Sequence, residues 1–508
     1  MTEPLVLDGR SLTLGGFLAV VRGGTPVALA AAARTAVERS RASVERIVAS
    51  GQPVYGINTG VGALSGTTIP RERIAELQRS LVRSHASGSG PPLPAEVVRG
   101  LLLLRINSLA RGLSGVRPAL VDALIALLNL QLVPWIPEQG SVGASGDLAP
   151  LAHLALALAG EGSFVSPEGR VEEASTVLRR HGLAPVTFHE KEGIAVLNGT
   201  ALMASYLALA VADARGLLDA ATVGCALSFD ALLGDPSSLD DRIGEARNLP
   251  AQRDAARALR DLLAGSQLAV PRTEWAGQDP YTLRCAAQVF ASVRLGVEFA
   301  SEVAEAELNA ATDNPLLFDG DIAISGGNFH GQPLALALDT LALPIQYIAA
   351  FAERRISRIL HPALNRGLPP FLAPPGGVSS GLMIPQYLAA ALVNENSTLV
   401  HPASAASLPT SADQEDFVSM GPWAGAKLRK VVANTRRVVG IEWIVSGQAL
   451  ELRRPKKGGR GSEAALRALR TEVKPWSEDR SPAPDIERVA AAIASGELVQ
   501  KVRAEVPF

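Results

Sequence analysis

The most chemically suggestive stretch of the chain is EQGSVGASGDLAP, Glu138 to Pro150. It sets Gly140, Gly143 and Gly146 in a short loop ahead of an apolar helix, with Asp147 near that helix's N-cap. Glycine accepts dihedrals that other residues avoid and lets backbone atoms approach closely. Within Ala144-Ser145-Gly146 the Gly146 nitrogen can therefore reach the Ala144 carbonyl carbon. Cyclisation with loss of two waters, one of them from Ser145, would give a five-membered ring bearing an exocyclic methylidene. Such a ring is a strong electrophile built without an added cofactor. The tripeptide alone is no signature, because it recurs at 49–51, 86–88 and 494–496. The surrounding GSVGASGDLAPLAH sets the copy at 144 apart. A second group, Gln278, Tyr281 and Arg284, is spaced three apart and shares one face if a helix opens at Asp279. Arg284 offers a planar fork suited to a carboxylate.

The elements that must position these residues read as helices over most of the length, since apolar residues recur at helical spacing and strict alternation is scarce. Residues 1–193 form a mixed N-terminal lobe. Here Leu5–Leu7 reads as a short strand, Val27–Ser50 as an amphipathic helix and Gly51–Pro70 as a long irregular loop. Glu72–His85, Pro94–Ala110, Arg117–Leu132 and Ala149–Gly160 read as helices, and Val171–His189 as a surface excursion. Residues 194–453 form a central bundle with helical stretches at Ile194–Leu233, Pro280–Ala311, Gln332–Ile359, Leu382–Leu399 and Asp416–Arg453. Their Ala and Leu content favours helix, and small side chains allow close helix approach. Leu368–Gly381, rich in Pro and Gly, is a loop. Residues 454–508 make a helical tail, entered through the basic turn Arg453–Gly461. The fold class is mainly α.

Composition removes several alternatives. With 48 Lys+Arg against 50 Asp+Glu, the formal net charge of -2 gives no general grip on nucleic acid. Cys225 and Cys285 are too few for a disulfide framework, which points to a reducing compartment. No basic segment followed by an apolar one opens the chain, so a cytoplasmic location is expected. The uncharged run Gly193–Ala212 contains Asn198, Thr200 and Ser205, which suits a bundle helix better than a membrane span. Gly60, Gly62 and Gly66 miss the dinucleotide spacing. No GxxxxGK[ST] or HExxH motif occurs, and the seven His are scattered, so no metal site is expected.

Taken in order, the motifs resemble the aromatic amino-acid ammonia-lyase family over nearly the whole chain. Besides the segment at 144 they are YGINTGVG (Tyr55–Gly62), SLVRSHASG (Ser80–Gly88), KEGIAVLNGT (Lys191–Thr200) and QDPYTLRC (Gln278–Cys285). DNP (Asp313–Pro315), GNFHG (Gly327–Gly331), ERR (Glu353–Arg355), SGLMIPQY (Ser380–Tyr387) and QEDFVSMG (Gln414–Gly421) follow. The resemblance implies a fumarase/aspartase-like lyase architecture. It also implies a 4-methylidene-imidazol-5-one (MIO) group made from Ala144, Ser145 and Gly146, with no external cofactor. The implied reaction is loss of ammonia from an L-amino acid to give the trans unsaturated acid. The match is best to the histidine-directed branch, for which the product is trans-urocanate. Homotetramers with active sites assembled from three chains are implied as well.

The resemblance also assigns roles. Tyr55 would take the β-proton; because a phenol ordinarily holds its proton to near ~10, it needs neighbours that favour the phenolate. Asn198 would donate to the MIO carbonyl or the substrate. Tyr281 would orient the substrate and support the ring's reactivity, Gln278 would bind substrate beside it, Arg284 would bind the substrate carboxylate, and Phe329 would pack against ring or substrate. His85 and Glu415 would recognise the side chain, with Glu415 the better mark of a histidine-directed member. Two features depart from that branch: Phe417 stands where it shows His, and Thr273–Gly277 (TEWAG) is an unusual lead into QDPY. The alternatives are a tyrosine or phenylalanine ammonia-lyase, a 2,3-aminomutase on the same ring, or a helical scaffold in which the ring never forms.

Overall fold

The computed structural model of the chain describes residues 3–272 and 277–508. Residues 273–276 of the TEWAG departure lie outside that description. The fold is mainly helical, and its longest helices are Ala201–Ala231, Ala286–Glu307, Gln332–Leu360 and Gly421–Leu452. Two of them, Ala201–Ala231 and Gln332–Leu360, are apolar and long enough to cross a membrane. However, 78% and 61% of their apolar windows are buried inside the protein, which makes them core helices.

The chain divides into two compact units, each drawn from separated segments. The first comprises Met1–Leu209, Ala300–Asp339 and Pro402–Ala426. It holds the short sheets. Leu5–Leu7 pairs in parallel with Val27–Leu29, and Ser89–Pro92 runs antiparallel to Pro137–Gln139. A hairpin joins Leu316–Phe318 to Ile322–Ile324. The helix Ala31–Ser50 buries Val44, Ile47 and Val48 against Ile57, Ile74 and Leu317. Ile57 thus pins the base of the Tyr55 loop into the hydrophobic core.

The second unit comprises Ala210–Phe299, Thr340–His401 and Lys427–Phe508. Its helices pack as a bundle around buried polar pairs. Arg355 donates to both oxygens of Glu442 at 2.5 and 3.0 Å, and Ser228 donates to Glu442 at 2.7 Å. Trp443 donates its indole N–H to the Ala220 carbonyl at 2.8 Å. Pro344 lies inside the helix Gln332–Leu360, and Gly296 makes room for it; a Cβ at Gly296 would lie 2.8 Å from the Pro344 ring.

Four stretches differ from the sequence expectation. Ile194–Leu233 is broken: Glu192–Leu197 is one short helix and Ala201–Ala231 another. Asn198 between them is extended (φ -92°, ψ 118°) and Gly199 has φ +146°, a conformation that ends a helix. Pro280–Ala311 is likewise two helices, Tyr281–Arg284 and Ala286–Glu307. The final helix, expected from Asp416, starts at Gly421; positive φ at Ser411, Ala412, Asp413 and Met420 keeps the preceding segment irregular. Val27–Leu29 is a strand, and the helix expected from Val27 begins at Ala31.

Candidate active site

The loop carrying Ala144-Ser145-Gly146 is held at both ends by backbone pairing. Gly146 lies beside Gly199 as an isolated bridge, and the Asp147 N–H donates to the Gly199 carbonyl at 2.7 Å. Gly146 has φ +77°, and a Cβ there would lie 2.2 Å from the Gly199 oxygen, so no side chain fits. On the other flank, Ser419 Oγ donates to the Gly143 carbonyl at 2.9 Å and the Met420 N–H to the Val142 carbonyl at 2.8 Å. This second tie draws the irregular 410–420 segment over the loop.

Two contacts then converge on Ser145. Its hydroxyl donates to Glu415 Oε1 at 2.6 Å, and its carbonyl accepts from Asn198 Nδ2 at 2.7 Å. The other Glu415 oxygen accepts from Thr410 Oγ1 at 2.7 Å. Asn198 is 3% exposed, and its Oδ1 is buried without a hydrogen-bond partner. A buried amide oxygen left open in this way can take a donor from a ligand.

Asp147 is fully buried and accepts from the Leu202 and Met203 N–H groups at 2.8 and 3.2 Å, at the start of the helix Ala201–Ala231. Burial pushes its carboxyl up to about 7, although those two backbone donors pull the other way.

These residues open onto a cavity of about 720 Å³ within the first unit. Tyr55, His85, Ser145, Asn198, Phe329 and Glu415 all line it, so the fold brings six of the sequence-selected residues together. The Tyr55 hydroxyl accepts from the Gly62 N–H at 3.3 Å. His85 Nδ1 donates to the Leu81 carbonyl at 2.8 Å. Ala144 and Gly146 line a smaller space of about 230 Å³ that shares Ser145, His85 and Glu415. Phe417 is 55% exposed and stacks on His330 with ring centroids 6.1 Å apart.

Gln278, Tyr281 and Arg284 are not among the lining residues; they belong to the second unit. Tyr281 is 69% exposed, and Arg284 bonds the Gln278 side chain. Their segment is anchored from beneath. Asp279 accepts from the Asp235 N–H at 2.6 Å and from Arg366 at 3.1 Å, and Arg355 donates to the Thr282 carbonyl at 3.1 Å.

Sequence reasoning did not single out Thr410, which orients Glu415, or Asn314, which lines the cavity. Asn314 lies in the quoted DNP motif and was within reach. Nothing in the sequence around Thr410 marks it.

A sequence model of the aromatic amino acid lyase family matches residues 12–471. The chain belongs to this family. Among its relatives, the histidine ammonia-lyase of Symbiobacterium thermophilum is 49% identical over 98% of both chains. Within the lyase fold, a crystal structure of histidine ammonia-lyase from Trypanosoma cruzi matches with a TM-score of 0.92 at 40% identity, covering 99% of this chain and 96% of that one. Tyrosine aminomutase from Streptomyces globisporus matches with a TM-score of 0.95 at 34% identity, covering 100% and 99%. Family members with different named reactions thus share the backbone, and substrate choice must be argued from side chains and identity.

Proposed function

We propose that the protein is a histidine ammonia-lyase, converting L-histidine to trans-urocanate and ammonia. The observation that carries this reading is the Glu415 carboxylate, held 2.6 Å from the Ser145 hydroxyl in a cavity that also contains His85. A carboxylate there suits an imidazole or an ammonium; a phenyl or phenol side chain gives it no cationic partner. Curated relatives 44–49% identical over nearly the full length, all histidine ammonia-lyases, support it.

The reading includes an MIO group at Ala144-Ser145-Gly146, and the residues fit one. Gly146 and Gly199 bring two backbones too close for side chains, and Asn198 donates to the carbonyl that such a ring retains. When formed, the group supplies an electrophilic methylidene that turns the substrate amine into a leaving group. The remaining tasks fall to side chains. Tyr55, on the loop Gly51–Pro70 that lines the cavity, takes the substrate's β-proton. Glu415 and His85 hold the imidazole, and Phe329 packs against the ring face. Arg284 binds the carboxylate, with Gln278 and Tyr281 beside it.

With those three residues included, the proposed site is assembled in an oligomer, a homotetramer on the family pattern. A cytoplasmic location fits the two unpaired cysteines. A second reading, a tyrosine-directed lyase or aminomutase, draws on the 0.95 TM-score to a tyrosine aminomutase and on Phe417. Purified protein offered a panel of L-amino acids decides between them. Urocanate absorbance from histidine is expected; turnover of tyrosine alone would overturn the assignment.

A further inference from the structure

Beneath the reactive tripeptide, within the first unit, lies a charge cluster that the proposed chemistry does not use. Arg105 lies in the largely buried helix Ala95–Ala110, and its side chain is wholly buried. Its Nη1 donates to the Asn198 carbonyl at 2.7 Å and its Nη2 to Ser108 Oγ at 3.2 Å; Asp313 Oδ1 lies 3.9 Å away. Asp313 also accepts from Lys191 Nζ at 2.7 Å and from Ser114 Oγ at 2.8 Å, and both charged partners are fully buried. Two buried cations therefore share one carboxylate. That arrangement is costly unless the extra charge has a further partner. For Arg105 the further partner is the Asn198 backbone.

The contact is close. A Cβ on Gly199 would lie 2.4 Å from Arg105 Nη1, so the turn at Asn198–Gly199 rests directly on the guanidinium. The same turn offers Asn198 Nδ2 to the Ser145 carbonyl and the Gly199 carbonyl to the Asp147 N–H. We infer that Arg105 is a positioning residue for ring closure: it holds this turn so that Asn198 stays on the Ser145 carbonyl while the ring forms.

The inference rests on the MIO reading. In that chemistry the Gly146 nitrogen bonds the Ala144 carbonyl carbon, whose oxygen leaves as water with the Ser145 and Gly146 amide protons. The Ser145 hydroxyl leaves as a second water with the Ser145 α-proton. Asn198 donates to the one carbonyl that is retained, and polarising it acidifies that α-proton.

The test follows intact mass after cell-free synthesis for the parent, Arg105→Lys and Arg105→Met, each checked for folding by circular dichroism and for oligomer size. The parent should lose the mass of two waters. Arg105→Met should do so roughly tenfold or more slowly, as loss of one charged hydrogen bond implies, with Arg105→Lys between the two. Turnover should follow the ring-bearing fraction with KM unchanged. A merely structural arginine would lower yield and melting temperature without changing that fraction. Ring closure in Arg105→Met at the parent's rate overturns the inference while leaving the MIO reading intact. A parent that keeps both waters overturns the reading itself. Failure of both variants to fold would make Arg105 a determinant of the fold and would also overturn the inference.

Discussion

Glu415 spends both of its oxygens, one on the Ser145 hydroxyl and one on Thr410. Loss of that hydroxyl during ring formation would free Oε1 for the substrate, so the same carboxylate can orient the precursor and then the imidazole. Replacing Ser145 with Ala removes the atom that both events need. Ser145→Ala should fold, show the mass of its uncyclised sequence and lose turnover by roughly a thousandfold or more. Substantial activity from that variant would sink the covalent mechanism. Glu415→Gln keeps shape and hydrogen bonding but not charge. It should cost roughly 10- to 100-fold in kcat/KM for histidine, the worth of one charged hydrogen bond. Equal losses on histidine and on any poorer substrate would tie Glu415 to the elimination step instead of to recognition.

Helix ends, more than helix bodies, shape the site. Asp147 closes the loop and accepts the first N–H groups of the helix Ala201–Ala231, where a negative charge suits the helix dipole. Burial nevertheless raises its carboxyl from 3.8 to about 7. The folded chain therefore keeps that proton to higher pH than the unfolded chain. The stability linked to it is full below about pH 4 and is lost as pH rises through about 7. Asp147→Asn retains an acceptor for both N–H groups and removes the titration, so its melting temperature should fall less than the parent's between pH 5 and 8. Parallel curves for the two proteins would exclude this linkage. Ala144-Ser145-Gly146 was legible because glycine spacing and a following apolar run mark a tight turn before a helix. The break at Asn198 was not: apolar residues run on past it, and Gly199 was the lone local sign. The helical stretch expected from Asp416 begins only at Gly421, which leaves Glu415 in an irregular segment. Its true backbone is set by ties to Val142 and Gly143, some 270 residues away in sequence, which no local pattern encodes.

At the scale of the whole molecule, the cavity and Arg284, the residue proposed to bind the carboxylate, belong to different units, and Arg284 is not among the residues lining that cavity. If homotetramers supply it from another subunit, defects in Ser145 and in Arg284 must complement each other. Arg284→Ala alone should raise KM by roughly 10- to 100-fold through loss of a charged hydrogen bond to the carboxylate. Ser145→Ala alone should be inactive. Co-expression of the two places native Ser145 from one chain beside native Arg284 from another, and random mixing leaves roughly a quarter of the sites with both. Activity at low substrate should then return to about that fraction of the parent's, with the parent's KM for the restored sites. Mixing the two proteins after separate purification should restore little until subunits exchange, because the helices must pack before the site exists. Co-expressed chains no more active than Arg284→Ala diluted by half would mean that Ser145 and Arg284 of a single chain serve the same site, and the shared-site tetramer would have to be abandoned.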